Sequence, residues 1–581
     1  MYLRKFKKIV LWVFLSLLFL VMAAWIFIQT PFGQNYIIGK VTARLSKDLK
    51  TRVDIKHIDF SLFNKLHLEG TLVEDRKGDT LLYAGDLNVR LTDWFFFNKN
   101  IELKYIGLKN AVMRIERTDS TWNHQFLLDY FSSPSSGSGD KKEGTQLNLK
   151  QISLEHVTFY QIDKWKGHNM MLALGSLNLE AKDINFAKKT IDLNVLTIVS
   201  PYVSLFDYQG TKPPRAMDEK DKTAPLIDST LKWNAEGWIV KAAKLDIQDG
   251  TFKTDRADTA AVHSYFDGKH IEFSKIYTHF TDLRWEKDTV TAHINLQTKE
   301  RSGFEVKNMI ADLKLTPQEM AFDKLDIKTN NSTIRNYFRM NYDDFTSMND
   351  FIHAVKMQAN FDNAEIDSDD IAYFAPGMKS WKKALRLKGS ARGTVDDLVG
   401  KDLVILAGNN TLLNGDISMT GLPDINQTFI DFKANDFRTT YDDAAAFVPA
   451  IRTITKPNLR KLQYIKFKGS FTGFIRDFVT FGTIQTNLGS ITSDINMKLP
   501  SKQQPVYSGT ISTDYFRLGE LIGDDEIGAV SLNGSIKGRG FDEKTRQTDI
   551  DGKINFADYK DYRYNNITLK GKLDRKKFNG T

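Results

Sequence analysis

From Arg52 onward, apolar and polar residues alternate with a period of two. Leu87-Asn88-Val89-Arg90-Leu91, Ile101-Glu102-Leu103-Lys104-Tyr105 and Ile191-Asp192-Leu193-Asn194-Val195 follow that pattern. So do Leu325-Asp326-Ile327-Lys328 and Asp494-Ile495-Asn496-Met497-Lys498-Leu499. Each predicts a strand with one dry and one wet face, as in antiparallel sheet. Asn409-Asn410 and Asn414-Gly415 are examples of the turn residues between strands. At roughly 13–15 residues per strand and turn, about 35–40 strands follow, and one continuous sheet at ~4.8 Å spacing would exceed about 150 Å.

The chain also repeats itself. Gly85, Leu87, Val89, Asp93, Phe96, Lys99, Ile101 and Leu103 match Gly175, Leu177, Leu179, Asp183, Phe186, Lys189, Ile191 and Leu193 without a gap. Leu387-Lys388-Gly389-Ser390 with Gly393 and Asp397 returns as Phe467-Lys468-Gly469-Ser470 with Gly473 and Asp477. Asp416-Ile417-Ser418-Met419 returns as Asp494-Ile495-Asn496-Met497. Asp369-Asp370-Ile371-Ala372 returns as Asp442-Asp443-Ala444-Ala445. These periods are too long for a solenoid coil and suit several strands plus a crossing segment.

Two shapes satisfy such strands. One is a row of β-sandwiches, each with its own core. The other is one elongated, curled antiparallel sheet with apolar side chains lining the inside, stable in water only when something apolar fills it. Periodicity leaves both open. If the sheet is a trough, alternation assigns its lining to Leu87, Val89, Leu91, Ile101, Leu103, Leu177, Leu179, Ile191 and Leu193. In the second half the same assignment falls on Leu325, Ile327, Ile417, Met419, Ile495 and Met497.

The N-terminus departs from this pattern. Ile9 to Ile28 carries no charge, and at 1.5 Å per residue it is long enough to cross a bilayer as a helix. Ile9, Trp12, Phe19, Trp25 and Ile28 mark this predicted transmembrane anchor. It is longer than a signal-peptide core, and Met22-Ala23-Ala24 leads into more apolar sequence rather than a cleavage site. Arg4, Lys5, Lys7 and Lys8 precede it, which predicts a cytoplasmic tail over 1–8 and export of the remainder. Thr30-Pro31 then starts a juxtamembrane amphipathic helix over 29–50, with Ile37, Ile38, Val41, Leu45 and Leu49 at helical spacing. Its apolar face is suited either to lipid or to sealing the next domain. Sheet repeats are expected over 51–300 and 301–581, with mobile loops at about 132–146 and 209–227, which are poor in apolar residues.

Composition narrows the chemistry. The chain has 581 residues, 80 Lys+Arg against 72 Asp+Glu, and no cysteine. The absence of Cys excludes disulfides, thiolate metal sites and Cys nucleophiles, and suits an export compartment. The mixed charge gives no nucleic-acid footprint. There is no His-Glu-x-x-His, no phosphate loop and no Gly-x-Ser-x-Gly elbow. Asp367, Asp369 and Asp370 read as a helix N-terminal turn or solvated loop rather than a calcium site. Pairs such as Asp343-Asp344 and Asp442-Asp443 are expected by chance among so many acids. No enzyme, cofactor or metal is expected.

The order of basic tail, anchor, Thr-Pro helix and the stretch from Arg52-Val53-Asp54-Ile55 to Leu66-His67-Leu68-Glu69-Gly70 resembles the start of TamB and AsmA-like proteins. The phrase Leu108-Lys109-Asn110-Ala111-Val112-Met113, with its echoes Leu154-Glu155-His156-Val157-Thr158-Phe159 and Ile247-Gln248-Asp249-Gly250-Thr251-Phe252, is also similar to theirs. The Lys, Asn, Tyr and Phe content looks like that of a Bacteroidota member. The resemblance implies a repeating β-groove (β-taco) held in the inner membrane by one helix, with its bulk in the periplasm. Such proteins are held to carry phospholipids towards the outer membrane and to support outer-membrane biogenesis. The resemblance also brings in a TamA-like outer-membrane barrel of the Omp85 class and, as an alternative function, chaperone-like assembly of outer-membrane proteins. The family's C-terminal domain is not found, and strand phrasing over 567–573 still runs near Thr581. Either the N-terminal part of a longer protein or a shorter AsmA-like relative fits. An anchored scaffold built of sandwiches is the third reading.

Overall fold

Thr30 starts helix α1 (Pro31–Leu49): its hydroxyl accepts from the Gly33 N–H at 3.1 Å, and Pro31 fills a first-turn position that needs no N–H. The computed structural model describes residues 15–581 except 24–25, 28–29, 62–64, 92–102, 133–148, 186–187, 214–232, 501–502, 542–543, 576 and scattered positions within 375–382 and 448–456. Residues 15–23 are helical and exposed. No helix among the described residues is long and apolar enough to cross a membrane. Of the anchor marks, Phe19 is described, while Ile9, Trp12, Trp25 and Ile28 lie outside the described residues. So does most of the two predicted mobile loops.

The chain is mostly β and divides into two units, Met1–Glu305 and Val306–Thr581. Unit 1 begins with β1 (Val53–Asp54), β2 (His57–Ser61), β3 (Lys65–Glu74), β4 (Thr80–Leu91) and β5 (Leu103–Arg117). After helix α2 (Gln125–Ser132) come β6 (Gln151–Asp163), β7 (His168–Asn185), β8 (Thr190–Val199) and β9 (Tyr202–Asp207). The unit ends with β10 (Ile239–Arg256), β11 (Ile271–Glu286) and β12 (Thr289–Glu300). Neighbours pair antiparallel except at two places: β5 with β6, and β8 and β9 with β10, are parallel. The alternation predicted antiparallel pairing throughout. A parallel neighbour requires the chain to travel back along the strand, and the connections 118–150 and 208–238 are the ones that contain the two loop sequences. The first parallel step ends on a nearly buried ion pair, in which Arg117 donates to both carboxylate oxygens of Asp163 at 2.8 and 2.6 Å. Arg117 holds the Asp163 carboxyl below its usual range.

Helix α1 closes one end of this sheet. Ile38 packs with Ile55 and Ile58 against Leu66 and Leu68. Leu49 packs with Val53, Leu81 and Phe126, and Leu45 joins them. Of the face predicted for lipid or for the next domain, Ile38, Leu45 and Leu49 pack on the domain while Val41 stays exposed.

Unit 2 contains β13 (Glu305–Thr316), β14 (Glu319–Lys328), β15 (Thr333–Asn341), helix α3 (Phe351–Ala354), β16 (Lys356–Asp367) and helix α4 (Ser368–Ile371). It continues with β17 (Ala384–Gly393), β18 (Asp397–Ala407), β19 (Thr411–Thr420), β20 (Phe429–Thr439) and helix α5 (Tyr441–Phe447). Then come β21 (Ile465–Phe474), β22 (Asp477–Thr486), β23 (Gly489–Lys498), β24 (Val506–Arg517) and helix α6 (Leu518–Ile522). The last strands are β25 (Ile527–Arg539), β26 (Gln547–Tyr559), β27 (Tyr562–Asp574) and β28 (Lys577–Gly580). From β13 to β28 they form an antiparallel meander. The sequence repeats fall on a block of four strands and a short helix: β17 corresponds to β21, β19 to β23, and α4 to α5. The described residues form 28 strands, fewer than the expected 35–40, because strands reach 18 residues rather than one short run per turn.

A line of left-handed backbone crosses unit 1. Gly70 (φ 60), Asn110 (φ 51), His156 (φ 51), Ser200 (φ 49), Asp249 (φ 54) and Lys275 (φ 51) stand at neighbouring levels of β3, β5, β6, the β8–β9 junction, β10 and β11, with Gly85 of β4 and Gly175 of β7 between them. At this level β5, β6, β10 and β11 place two polar residues side by side, the other strands use a glycine or proline, and alternation resumes one step out of phase. On β5, Lys109 and Asn110 are exposed while Ala111, next along, is buried. Because the partner strand makes the same shift, the ladder continues and the apolar face stays on one side through the bend. The phrases Leu-Lys-Asn-Ala, Leu-Glu-His-Val and Ile-Gln-Asp-Gly encode this line. Asn, Asp and Gly accept positive φ more readily than branched residues do.

Asn110→Val and His156→Val should each lower stability by about 1–2 kcal/mol, whereas the Gly variants should be near neutral. Denaturant midpoints of the four variants check this. Both side chains are exposed, so lost packing cannot produce the same result.

Candidate functional site

The register sets the faces. In unit 1, Leu66 of β3 lies opposite Val89, Val89 opposite Ile106, Ile106 beside Ile152, and Ile152 opposite Leu179. The row runs on through Leu196, Leu245, Phe280 and Ile294. Nine strands therefore contribute an unbroken apolar row, about 38 Å long at ~4.8 Å per strand. A parallel row one step along joins Leu68, Leu87, Leu108, Leu154, Leu177 and Ile198. Unit 2 has its own row, Leu387, Ile405, Leu413, Phe437, Phe467, Ile484 and Ile491.

These side chains are half-buried. Of the nine in the first row only Ile294 is buried, and none of the seven in the unit 2 row is. Interior positions between two packed sheets are close-packed and dry. The strands of each unit follow one hydrogen-bonded order rather than forming two facing sheets, which departs from the sandwich alternative. In unit 2 a cavity of ≈ 750 Å³ stands before Ile366, Leu385, Ala407 and Thr411, which are in register on β16 to β19, with Glu365, Arg386 and Arg438 also in its wall.

The opposite face carries ion pairs, together with some exposed apolar groups such as Val479 and Phe481. Lys109 meets Glu155 at 2.7 Å, Lys401 meets Asp416 at 2.9 Å, and Lys498 meets Asp477 at 3.0 Å. The Lys401 ammonium and the Asp402 N–H hold the Asp416 carboxyl below its usual range. Such exposed pairs add little stability, but they fix which face meets water.

The predicted lining residues fall as follows. Leu87, Val89, Leu177 and Leu179 belong to the two unit 1 rows. Ile191 and Leu193 share a face with Ile184 and Ala181, and Leu193 is buried in the cluster they form. Ile327 lies opposite Met309 and Ile334, and Leu325 nearby is buried. Ile417 and Met419 lie opposite Phe432 and Ile430, and Ile495 and Met497 opposite Thr480 and Phe478. Leu91 and Leu103 are opposite one another in the ladder, but their side chains lie outside the described residues, as does all of Ile101. Alternation alone missed Ile106, Leu108, Ile152 and Leu154, because the phase shift interrupts the period within their strands.

A row of small residues divides the apolar face of unit 2: Gly415, Ala434, Gly469, Gly482 and Ser493 are successive partners. A Cβ on Gly469 would stand 2.1 Å from the Phe481 carbonyl oxygen and 2.6 Å from the Gly482 Cα, so the backbones approach too closely there for any side chain. The repeated Lys-Gly-Ser phrase marks this row in the sequence.

The short helices hold one rim. Asp443 of α5 reaches back to the β18–β19 hairpin, accepting from the N–H of Asn409 (3.3 Å), the N–H of Asn410 (2.6 Å) and the Thr411 hydroxyl (3.1 Å). Its repeat partner Asp370 accepts likewise from Thr329 and Asn331 at the β14–β15 hairpin. In the third block Arg517 takes over, with its N–H on Leu488 O and its guanidinium on Asn487 O. Leu518 and Leu521 of α6 pack onto the buried cluster of Leu488, Phe516 and Val530. Asp370 is thus a structural clamp, while Asp367 caps α4 through the Asp369 N–H at 2.8 Å. Among the described residues no group of three His, Asp or Glu could hold a metal ion. No family model and no curated protein matches the chain.

Burial pushes the Asp443 carboxyl up, but the N–H groups of Asn410 and Asn409 with the Thr411 hydroxyl outweigh it, and the pKa is lowered. The resulting stabilisation is present above the ordinary carboxylate range and is lost as pH falls through the lowered value. Asp443→Ala should destabilise by about 1–2 kcal/mol, since it removes the hydrogen bonds that Asn409, Asn410 and Thr411 give to a buried carboxylate. Asp443→Asn should flatten the acid limb of the stability curve, read from thermal unfolding across pH.

Proposed function

We propose that the chain is a membrane-anchored lipid carrier whose apolar sheet face holds the acyl chains of phospholipids. The half-buried apolar rows carry this reading. Each is long and continuous for a surface left to water, and ion pairs such as Lys109–Glu155 lie on the opposite face. Binding would be weak and unspecific, because the rows offer area at ~25 cal/mol per Å² and few fixed polar contacts. No catalytic group is needed.

The anchor belongs to the same proposal. Leu17, Phe19 and Leu20 are helical and 61%, 66% and 65% exposed, which suits a lipid environment better than water. With the basic residues before Ile9, this fits an inner-membrane protein whose bulk lies in the periplasm. The layout resembles TamB and AsmA-like proteins, and transfer of phospholipid between inner and outer membrane is the function that resemblance favours. An outer-membrane barrel partner rests on the resemblance alone.

Full-length protein purified gently from membranes should retain phospholipid beyond what its anchor holds, counted by mass spectrometry after extraction. Leu177→Asp with Ile198→Asp, a facing pair on β7 and β8, should remove most of that excess. Lys109→Asp on the outer face should not. Equal lipid in all three folded proteins would sink the carrier reading.

A further inference from the structure

Helix α1 has two faces, and only one is used by the fold. Ile38, Leu45 and Leu49 turn towards the sheet. On the far side, Phe32, Tyr36, Lys40, Ala43 and Lys47 follow at helical spacing, and all are exposed, Phe32 to 74% and Tyr36 to 55%. Arg44 flanks this stripe, and the Lys40 ammonium lies over the Tyr36 ring at 5.7 Å. The stripe carries no acidic side chain, since Asp48 lies towards its edge and pairs with Arg44 at 3.7 Å.

We propose that this stripe is a second membrane contact, which lays α1 on the anionic headgroups beside the anchor. The inference rests on the anchored reading above. Continuity supplies the location. Thr30 donates from both its N–H and its hydroxyl to the Phe27 carbonyl, and the Phe27 and Phe32 rings meet edge to face at 6.0 Å. A Cβ on Gly33 would stand 1.9 Å from the Phe27 carbonyl oxygen, so Phe27 lies directly against the first turn of α1. The first turn of α1 therefore sits where the apolar stretch ends. Charge supplies the partner: aromatic rings settle at the headgroup level, and lysines beside them attract anionic lipid. Since the other face of α1 is packed against β1 to β3, the contact would hold the first strands of unit 1, and the head of their apolar row, next to the bilayer.

The chain has no cysteine, so single-Cys variants report cleanly. The full chain is placed in nanodiscs of phosphatidylglycerol and phosphatidylcholine, with an environment-sensitive fluorophore at Ala43→Cys, Phe19→Cys or Asn496→Cys. The Ala43 label should lose most of its iodide quenching relative to the outer-face Asn496 label. It should regain it when Lys40→Glu and Lys47→Glu are added. If the Ala43 label is quenched as freely as Asn496 while Phe19 stays shielded, the second contact is wrong and the anchor stands. If Phe19 is quenched too, the anchored reading itself fails. Shielding of Ala43 that survives the two Glu substitutions would mean that anionic headgroups do not cover the stripe, and would overturn the proposal.

Discussion

Both units depend on one constraint: a hydrogen-bonded ladder must bend without letting its apolar side change faces. In a strand the side-chain period is two, so a shift of one residue sends every following apolar group to the wrong side. Unit 1 meets this by shifting neighbouring strands at the same level, with left-handed residues from Gly70 on β3 to Lys275 on β11. Unit 2 repeats this device from Lys324 on β14 to Asp402 on β18, and farther along it removes side chains where backbones come close, at Gly415, Gly469 and Gly482. The two devices differ chemically, but both leave an unbroken apolar row on one face.

That constraint also explains why the polar groups sit where they do. Ion pairs such as Lys109–Glu155 are exposed and contribute little energy. Their placement matters more than their strength, because a register slip would bury them. The buried carboxylates act differently. Asp370 and Asp443 are buried and accept from the backbone N–H groups of hairpin turns, and a buried carboxylate is expensive to leave unmatched. Half-buried aliphatic rows and fully satisfied rim clamps fit a sheet that is rigid in its hydrogen bonding and open on one face.

Much of this was legible in the sequence, though unevenly. Period-two runs gave the strands, the Thr-Pro start gave α1, and the repeated Asp-Asp phrases coincided with α4 and α5. Parallel pairing was not legible, because alternation reports which face is dry and not which neighbour a strand chooses. Nor were Ile106 to Leu154, whose strands break period at Asn110 and His156. A phase shift shows as two polar residues in a row, which by itself looks like the end of a strand. Asp370 was read as part of a helix start; its role depends on a hairpin some forty residues earlier, a distance that no local pattern carries.

On the proposed reading, the evenness of the rows is itself functional. A site that holds one ligand tightly combines an apolar pocket with a few placed polar groups that fix orientation. The rows Leu66 to Ile294 and Leu387 to Ile491 offer instead a similar aliphatic or aromatic group at each strand. An acyl chain displaced by one strand spacing would lose and gain nearly the same contacts, so no position would be a deep trap. Each step would then be limited by partial exposure of methylenes, at about 0.8 kcal/mol per CH₂. A face of this kind holds apolar chains out of water while resisting their movement little, and the bends preserve that property because they never interrupt the row.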